Sequence, residues 1–276
     1  MHYGRLVRLS KLVLGARRGR EREEEPGTKM PEDKQQLLLD FNNRFLGYGS
    51  LDSDFWLIGP EQGGGENVEE VYRRASVWSE REKRETEDLH DYHAALRFDW
   101  TQKIQPTWGG LIKVILSFKG KSIDPGSVME FQRNELGRAD GENCVLDVCP
   151  FPSRSNSDWG LAGLGLGSLS TRERYEADCV PDRCILFGEK IAHYKPGLVL
   201  FYGSKQRSQW EQISDRPFSK SPQLDALSLA RNKDTLFALM PSPPQGLRFL
   251  RGTGAVNQFL ADVGKVLREA FDKARL

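Results

Sequence analysis

The sequence predicts an α/β protein, specifically a three-layer α/β/α sandwich around a short, mainly parallel four-stranded sheet. Two observations support this prediction. Short apolar runs alternate along the chain with segments of helical periodicity, and the runs are continuously apolar instead of alternating with polar residues. Strands that are apolar on both sides are typical of parallel sheets covered by helices on both faces.

Four short apolar runs are predicted to form this sheet. Each run is only four or five residues long and lacks helical spacing of its apolar residues. A weaker run at 227–229 predicts one further short strand. The four main strands are predicted at 55–58, 144–148, 198–202 and 235–239.

The segments around these runs carry apolar residues at intervals of three and four, which predicts helices. The charged segment 67–96 is expected to hold two helices, broken near 83–86, and Pro181 is expected to interrupt a later one. A long polar loop at 149–170 is predicted to be either functional or disordered. The predicted helices are 34–45, 67–96, 109–118, 128–136, 172–194, 206–213 and 256–274.

Residues 1–29 differ in composition from the rest of the chain. They are rich in Arg and then in Glu, and charges interrupt their apolar residues, so they lack the unbroken apolar core of a signal peptide. We expect either a disordered or membrane-grazing arm, or a segment that precedes a native start at Met30. Residues 30–276 are long enough to form a single domain with a full core.

Overall charge and hydropathy limit the choice of partners. The net charge is +1, so binding to nucleic acid requires a local basic patch and not a global field. No apolar run approaches membrane-spanning length. We expect a cytoplasmic monomer with no membrane partner and no cofactor.

Two residue groups raise the question of a metal site. Cys144 and Cys149, like Cys179 and Cys184, are separated by four residues, a spacing that is weak evidence for zinc, and we expect buried free thiols. His90 and His93 share a predicted helix face with Glu87, where a metal site is conceivable and a solvated polar face is favoured.

The stretch D-F-W-L-I-G-P-E-Q-G-G-G-E at 54–66 predicts a strand, a tight glycine turn and the start of a helix. Gly59 and Pro60 are expected to end the strand, which places the Glu61 carboxylate at the carboxyl edge of the sheet. In open α/β sheets ligands bind at this edge.

Three further predicted strands end in marked loops: V-L-D-V-C-P-F-P-S, F-Y-G-S and M-P-S-P. In this order, and together with G-P-E-Q-G, they resemble the uracil-DNA glycosylase superfamily over about residues 50–275, as a divergent, bacterial-type member. The resemblance implies the fold of that superfamily and a function in DNA repair by base excision. It places Glu61 at the family's catalytic Asp or Asn, Asp147 at its base-reading Asn, and Met240 at its catalytic His.

The resemblance also implies which residues contact DNA. The residues expected to stack on a base are Phe98, Trp100 and Phe151. Those expected to contact phosphates or the DNA strand are Gly63, Gly64, Pro106, Thr107, Ser153, Arg154, Gly203, Ser204, Ser242, Pro243, Leu247 and Arg248. The segment 184–203 resembles the iron–sulfur members, but the two upstream cysteines of their cluster are missing here, so we predict no cluster.

The chemistry implied is hydrolysis of the N-glycosidic bond of a damaged or mismatched base in DNA. A carboxylate such as Glu61 stabilises the sugar cation or activates water. Met240 cannot donate the hydrogen bond that the family His gives to the departing base. Two alternatives therefore stay open: a protein of this fold that binds a flipped or single-stranded base without cleavage, and a hydrolase of free nucleosides or nucleotides.

Deleting residues 1–29 tests the predicted domain boundary. Because charges break up the apolar residues of this segment, it cannot bury a continuous apolar face. We expect the melting temperature of the shortened protein to match that of the full chain, as measured by circular dichroism. A drop of many degrees would show that the segment belongs to the fold.

Overall fold

The structure is a computed structural model that describes residues 32–64, 67–153, 159–162 and 164–273. The predicted arm at 1–29 and one predicted DNA contact, Arg154, lie outside the described residues.

A mixed sheet forms the centre of the protein. Within the described residues it has eight strands, which lie side by side in the order β3-β1-β4-β2-β5-β8-β7-β6. The strands are β1 (Gly47–Gly49), β2 (Phe55–Gly63), β3 (Thr86–Glu87), β4 (Asn143–Ser153), β5 (Leu198–Tyr202), β6 (Ser219–Lys220), β7 (Ser228–Arg231) and β8 (Leu236–Met240).

The four central strands are the four main strands predicted from the sequence. β4, β2, β5 and β8 are parallel neighbours and are almost entirely buried, which confirms the α/β class. The predicted four-stranded sheet is too small, however. β1 pairs antiparallel with β4 on one side, and β7 pairs antiparallel with β8 on the other. The short strand predicted at 227–229 is confirmed as β7, shifted by one or two residues. The other added strands have only two or three residues each, too few for a periodic pattern.

Nine α-helices surround the sheet in the described part of the chain, and each predicted helix is present. Side-chain caps fix several helix starts: Asn67 and Thr171 each accept a hydrogen bond from a backbone N–H of the first turn. The helices are α1 (Glu32–Arg44), α2 (Val68–Glu80), α3 (Leu89–Ala95), α4 (Pro106–Phe118), α5 (Pro125–Asn134), α6 (Arg172–Asp178), α7 (Val180–Tyr194), α8 (Arg207–Ser214) and α9 (Thr253–Asp272).

Helices lie on both faces of the sheet. Successive strand residues point to opposite faces. The Phe55 ring packs against Phe118 of α4 with centroids 5.5 Å apart, and the Trp56 ring packs against Tyr194 of α7 at 6.1 Å. α4 and α7 therefore cover opposite faces, with α9 packed on α4 and α8 on α7. No helix in the described ranges is long and apolar enough to cross a membrane.

The predicted strand end at Gly59 and Pro60 is wrong. Pairing of β2 with β5 stops at Ile58, but pairing with β4 continues, through Glu61 with Cys149, as far as Gly63 with Ser153. Proline is tolerated here because β2 has already lost one neighbour, and proline occurs in strands mainly at such edges. Residues 149–153, predicted to begin a polar loop, are instead the end of β4.

α4 and α9 approach closely at Gly264. An added Cβ at this position would lie 2.6 Å from the Cβ of Ser117 and 2.6 Å from the carbonyl oxygen of Val114. We therefore expect Gly264→Ala to lower the free energy of unfolding by roughly 1–3 kcal/mol, because the helix backbones must move apart. Urea denaturation measures this change.

Gly254→Ala on the same helix is the matched control. No heavy atom outside the helix lies within 4 Å of an added Cβ there. Alanine is favoured over glycine in helices by up to about 1 kcal/mol, so the control should be as stable as wild type or slightly more stable. A Gly264→Ala protein as stable as this control would contradict the close approach of the helices.

Candidate functional site

A row of four residues crosses the carboxyl ends of the central strands. The Cα register pairs Asp147 of β4 with Gly59 of β2, and Tyr202 of β5 with Met240 of β8. Pairing of Ile58 with Phe201 brings Gly59 level with Tyr202. Two residues chosen from the sequence, Asp147 and Met240, thus lie in one row with Tyr202 between them.

Gly59 allows the Tyr202 ring to lie across β2. A Cβ at position 59 would overlap the hydroxyl oxygen and ring carbons of Tyr202. In the space that glycine leaves, the Tyr202 hydroxyl donates a hydrogen bond to Oδ1 of Asp147 at 3.3 Å. Tyr202 therefore links β5 to β4 across the strand between them, and any larger residue at position 59 would displace its ring.

The carboxyl of Asp147 titrates near neutral pH. Asp147 is 5% exposed, and this burial raises the pKa of its carboxyl to about 7. The Tyr202 hydrogen bond lowers this pKa and the charge of Glu61 raises it, but both effects are smaller than that of burial. Strongly perturbed carboxyls of this kind cluster at acid–base sites.

Arg183 lies under the same part of β4 without neutralising Asp147. Its guanidinium is fully buried and donates to three backbone carbonyl oxygens, those of Val148 at 2.7 Å, Asn42 at 2.7 Å and Asp147 at 3.0 Å. The carboxyl of Asp147 is not among its acceptors. Arg183 therefore anchors α7 to β4 and leaves the carboxyl to Tyr202.

Glu61 is held by a cation. Its side chain is 17% exposed, and its Oε2 accepts a hydrogen bond from Nη1 of Arg172 at 2.8 Å. Nη2 of Arg172 donates to Oγ of Ser153 at 2.6 Å, and the guanidinium lies over the Trp159 ring at 5.1 Å. Burial raises the pKa of the Glu61 carboxyl, while the Arg172 hydrogen bond and charge oppose that rise.

The loops after β5 and β8 meet beside this row. Gly203 has φ +112°, and an added Cβ there would lie 3.3 Å from Oγ of Ser242 and 3.7 Å from Cδ of Pro60. Ser204 is exposed and Ser242 is half-buried. The strand ends carrying Glu61, Asp147, Gly203 and Ser242 therefore converge on one edge of the sheet, as the sequence predicted.

A second polar cluster lies at the same edge around Gln62. Its Oε1 accepts from Nη1 of Arg74 at 3.0 Å and from the Tyr48 hydroxyl at 3.5 Å, and Arg74 also donates to Glu70 at 2.7 Å. An added Cβ on Gly64, at φ +102°, would lie 3.0 Å from Nη2 of Arg74. Among the described residues, Nε2 of Gln62 and Nε of Arg74 are buried without an acceptor. Each such orphan donor weakens the fold locally.

Phe98 and Trp100 share a cavity that the carboxylates do not line. The cavity, about 360 Å³, is lined by His90, Ala94, Arg97, Phe98, Asp99, Trp100 and Thr101. Trp100 packs edge-on against Trp108 at the start of α4, and the Arg73 guanidinium lies 4.9 Å from the Phe98 ring centroid. These two predicted stacking residues are brought together, but not around Glu61 or Asp147.

Three residues assigned from the resemblance have no surface available for DNA. Phe151 is buried against Trp159 and Tyr175, while Met240 and Leu247 are buried in the core. In each case the apolar side chain packs into the protein, although the backbone lies at the expected strand end. A role in touching a base or a strand is therefore wrong for them in this conformation.

Of the remaining residues predicted to contact DNA, some lie at the surface and one supports the loop after β8. Gly63, Pro106, and Arg248 are exposed, and Thr107 is half-buried in the first turn of α4. Pro243 is buried, and a Cβ on Gly110 would overlap its ring, so Pro243 fixes the β8 loop against α4.

The histidine and cysteine expectations have different outcomes. His93 is buried, with Nδ1 2.9 Å from the Leu89 carbonyl oxygen, and burial lowers its pKa to about 4, so the predicted solvated face is wrong for it. His90 is exposed. Within the described ranges no three His, Cys, Asp or Glu residues are grouped to hold a metal ion. The prediction of buried free thiols is confirmed for Cys144, Cys149, Cys179 and Cys184.

Sequence reasoning missed Arg172 and Tyr202. Arg172 is 111 residues from Glu61, and Tyr202 is 55 residues from Asp147. The position of Tyr202 at the end of a predicted strand was the available signal, together with a glycine at the same level of the neighbouring strand. Arg172 gave no signal beyond its place at a predicted helix start.

No protein-family model and no curated protein matches this chain. The resemblance to the glycosylases therefore depends on the four strand-end motifs.

Asp147 should make the stability of the protein depend on pH. Its pKa is about 7 in the folded protein against a usual value of 3.8, so between these pH values the folded state binds more protons than the unfolded state. Stability should therefore fall as pH rises from about 4 to about 7, by up to about 1.4 kcal/mol per pH unit. Asp147→Asn should flatten this slope, as measured by urea unfolding at pH 5 and pH 8.

The exposed Asp225 provides the control, because replacing a solvated carboxyl by Asn should leave the pH slope unchanged. If Asp147→Asn keeps the wild-type slope, the carboxyl titrates at its ordinary pKa and the electrostatic account of the site is wrong.

Proposed function

We propose that this protein is a glycosylase-like enzyme of the uracil-DNA glycosylase superfamily, which hydrolyses the N-glycosidic bond of a base in DNA. The observation that carries the proposal is the pair of acidic residues at the carboxyl edge of the parallel sheet. Glu61 and Asp147 stand on adjacent strands, two residues apart in register, beside the loops of Gly203 and Ser242. Ligands of α/β sheets bind at this edge.

The two carboxyls are suited to opposite roles. Glu61 is paired with Arg172, which favours its ionised form, whereas Asp147 has no cation on its carboxyl and binds a proton up to near-neutral pH. A pair of carboxyls held in different protonation states is a common arrangement for acid–base chemistry. In this proposal the Glu61 carboxylate stabilises the sugar cation or activates the attacking water.

Asp147 takes the part that Met240 cannot take. Met240 is buried and its thioether has no hydrogen to donate. Protonated Asp147 donates a hydrogen bond to the departing base and so stabilises its negative charge. Tyr202 holds the Asp147 carboxyl in position for this hydrogen bond, because the Tyr202 hydroxyl donates to Oδ1 of Asp147.

The protonation state of Asp147 also bears on which base is accepted. When protonated it both donates and accepts, like the Asn of the uracil-removing members; when ionised it only accepts. An ionised carboxylate repels a carbonyl oxygen and suits an exocyclic amine, such as that of cytosine or adenine. We therefore propose that plain uracil is a poor substrate above neutral pH.

The presence of methionine at position 240 favours a second candidate function. A protein of this fold that recognises a flipped or single-stranded base without cleaving it needs no donor at position 240 and is compatible with all the contacts described above. The hydrolysis of free nucleosides, favoured only by the low net charge, is the third possibility.

An excision assay tests the proposal. Single-stranded and duplex oligonucleotides carrying uracil, hypoxanthine or a mismatch are incubated with the protein, and abasic sites are revealed by alkaline cleavage. We expect cleavage by wild type and a loss of roughly a hundredfold or more in Glu61→Gln, because the amide cannot stabilise the cation or activate water. Glu142→Gln, which changes an exposed Glu at the opposite edge, should retain full activity.

Asp147→Asn separates base reading from structural support. It should shift preference toward uracil and remove the dependence of uracil excision on pH. Efficient uracil excision by wild type at pH 8, unchanged in Asp147→Asn, would contradict the base-reading role. Tight binding without any abasic product would favour the binding protein, and neither binding nor product on any oligonucleotide would favour a free nucleoside substrate.

A further inference from the structure

A cavity of about 410 Å³ opens at the amino edge of the sheet. It lies at the first residues of β2 and β5, whereas the candidate site lies across the carboxyl ends of the central strands. Its volume is within the usual range for ligand pockets. The described residues that line it are Asp52, Ser53, Asp54, Phe55, Phe118, Lys119, Gly141, Glu142, Leu198 and Phe271.

The floor of this cavity is apolar and is built from three elements. The Phe55 ring of β2 packs edge-on against Phe118 of α4 with centroids 5.5 Å apart, and Phe118 packs edge-on against Phe271 of α9 at 5.6 Å. Phe55 and Leu198 are buried, while Phe118 and Phe271 are half-buried. An apolar group that enters the cavity would remove the remaining exposed ring surface from water, which favours binding.

The rim of the cavity is acidic. Asp52, Asp54 and Glu142 are exposed. Glu142 pairs with Lys119 at 2.7 Å, so these two charges cancel and the charge of the rim comes from the two aspartates. Within the described residues the Asp52 carboxylate makes no ion pair or hydrogen bond. The rim therefore attracts a cation.

The two aspartates stand on a turn that is fixed to the sheet. They flank the buried Ser53, whose carbonyl oxygen accepts a hydrogen bond from Nε1 of Trp56 at 3.0 Å. The Leu198 N–H donates to the carbonyl oxygen of Asp54 at 2.9 Å. The positions of the rim charges are thus set by backbone contacts with β2 and β5.

Gly197 brings an apolar and an anionic group together at this edge. An added Cβ at position 197 would lie 2.9 Å from Cε2 of Phe271 and 3.3 Å from Oδ1 of Asp54. The ring and the carboxylate therefore lie against the same backbone position. A ligand that uses both must combine an apolar group with a cation.

We propose that this cavity binds a basic peptide segment of a partner protein, in which one apolar side chain enters between the phenylalanines and flanking cations contact Asp52 and Asp54. An apolar centre surrounded by a polar rim is the usual anatomy of protein interfaces. Residues two apart share a face of an extended peptide, so the cations belong two positions on either side of the apolar residue. A free amine would satisfy the rim and leave the floor uncovered.

The inference does not depend on the glycosylase proposal. Glu61 and Asp147 lie toward the other edge of the sheet, so a peptide at the amino edge leaves the candidate site open.

The test measures binding of a fluorescein-labelled peptide, Arg-Gly-Leu-Gly-Arg, to the full chain by anisotropy. We expect saturable binding that is about tenfold or more tighter than that of Glu-Gly-Leu-Gly-Glu, which reverses the charge, and of Arg-Gly-Ser-Gly-Arg, which removes the apolar group. Two-dimensional NMR spectra should show the largest shift changes at the amides of 52–55 and 271.

Asp52→Asn tests the rim. It should weaken peptide binding about threefold at low salt, as expected for an exposed charge pair, and the difference should disappear at about 1 M salt. Asp182→Asn is the matched control, because Asp182 is an exposed aspartate at the start of α7 that does not line the cavity. It should bind the peptide like wild type.

Phe271→Ala tests the floor and should weaken binding about tenfold, because it removes one of the rings that cover the leucine. Phe249→Ala, which removes a phenylalanine that is 59% exposed outside the cavity, should leave binding unchanged. The urea midpoint of each variant shows whether it is folded. If Phe271→Ala is unfolded, Asp52→Asn still decides, since its side chain supports no other part of the fold.

Absence of saturable binding up to about 1 mM peptide would overturn the inference, as would unchanged affinity in Asp52→Asn. Agmatine that displaces the labelled peptide as well as unlabelled peptide does would show that the cavity takes a free amine and not a peptide. Shift changes confined to the surroundings of Glu61 and Asp147 would place the peptide at the candidate site and reject the cavity. Failure of the excision assay would reject only the glycosylase proposal.

Discussion

The hydrogen bond from Tyr202 to Asp147 depends on the register of three parallel strands and on the absence of a side chain at Gly59. If β5 slipped by one residue along β2, the Tyr202 ring would meet a residue with a Cβ instead of Gly59. If β4 slipped by one residue, the Asp147 carboxyl would point to the other face of the sheet. The central strands are buried and paired on both sides, so this register is strongly determined. The chemistry proposed for the site therefore depends on backbone pairing and not on a mobile loop.

The difference between the two carboxyls has a simple electrostatic origin. Both are largely removed from water, which disfavours their charged forms. Arg172 compensates Glu61 directly, whereas the buried Arg183 near Asp147 donates to three backbone carbonyl oxygens and not to the Asp147 carboxyl. One carboxyl is thus paired and the other depends on a neutral phenol. Raising a pKa from 3.8 to about 7 corresponds to a bias of about 4 kcal/mol toward the protonated form.

Much of the sheet could be predicted from the sequence because its central strands are continuously apolar. Strands of two or three residues, such as β3 and β6, carry no such pattern and are defined by pairing with their neighbours. Glu61 could be placed because it follows an apolar run in the sequence, and Asp147 because it lies near the end of one. Arg172 could not, because an ion pair across 111 residues leaves no local pattern.

The corrections for Phe151, Met240 and Leu247 share one cause. The resemblance assigned roles by position along the chain, but accessibility depends on packing against other elements. Leu247 and Phe151 stand at plausible positions, yet both are buried, and Phe151 packs against Phe41 and Tyr175 from distant segments. Phe249, which no motif singled out, is exposed because the loop turns its neighbour inward. The position of a motif in the sequence locates the end of a strand. Tertiary packing then determines which side chain at that end is exposed to a ligand.

The distribution of charge is compatible with the nucleic-acid partner that we propose, although the net charge is only +1. Asp52, Asp54 and Glu142 surround a cavity next to Phe55 and Leu198, the first residues of β2 and β5. Lys205, Arg248 and Arg251 lie beyond the carboxyl ends of β5 and β8. Cations at the carboxyl edge would orient the protein toward the phosphate backbone of the nucleic acid that we propose as its partner, even though the total charge is small. Because only a few cations are involved, the electrostatic part of that affinity would be modest and sensitive to salt.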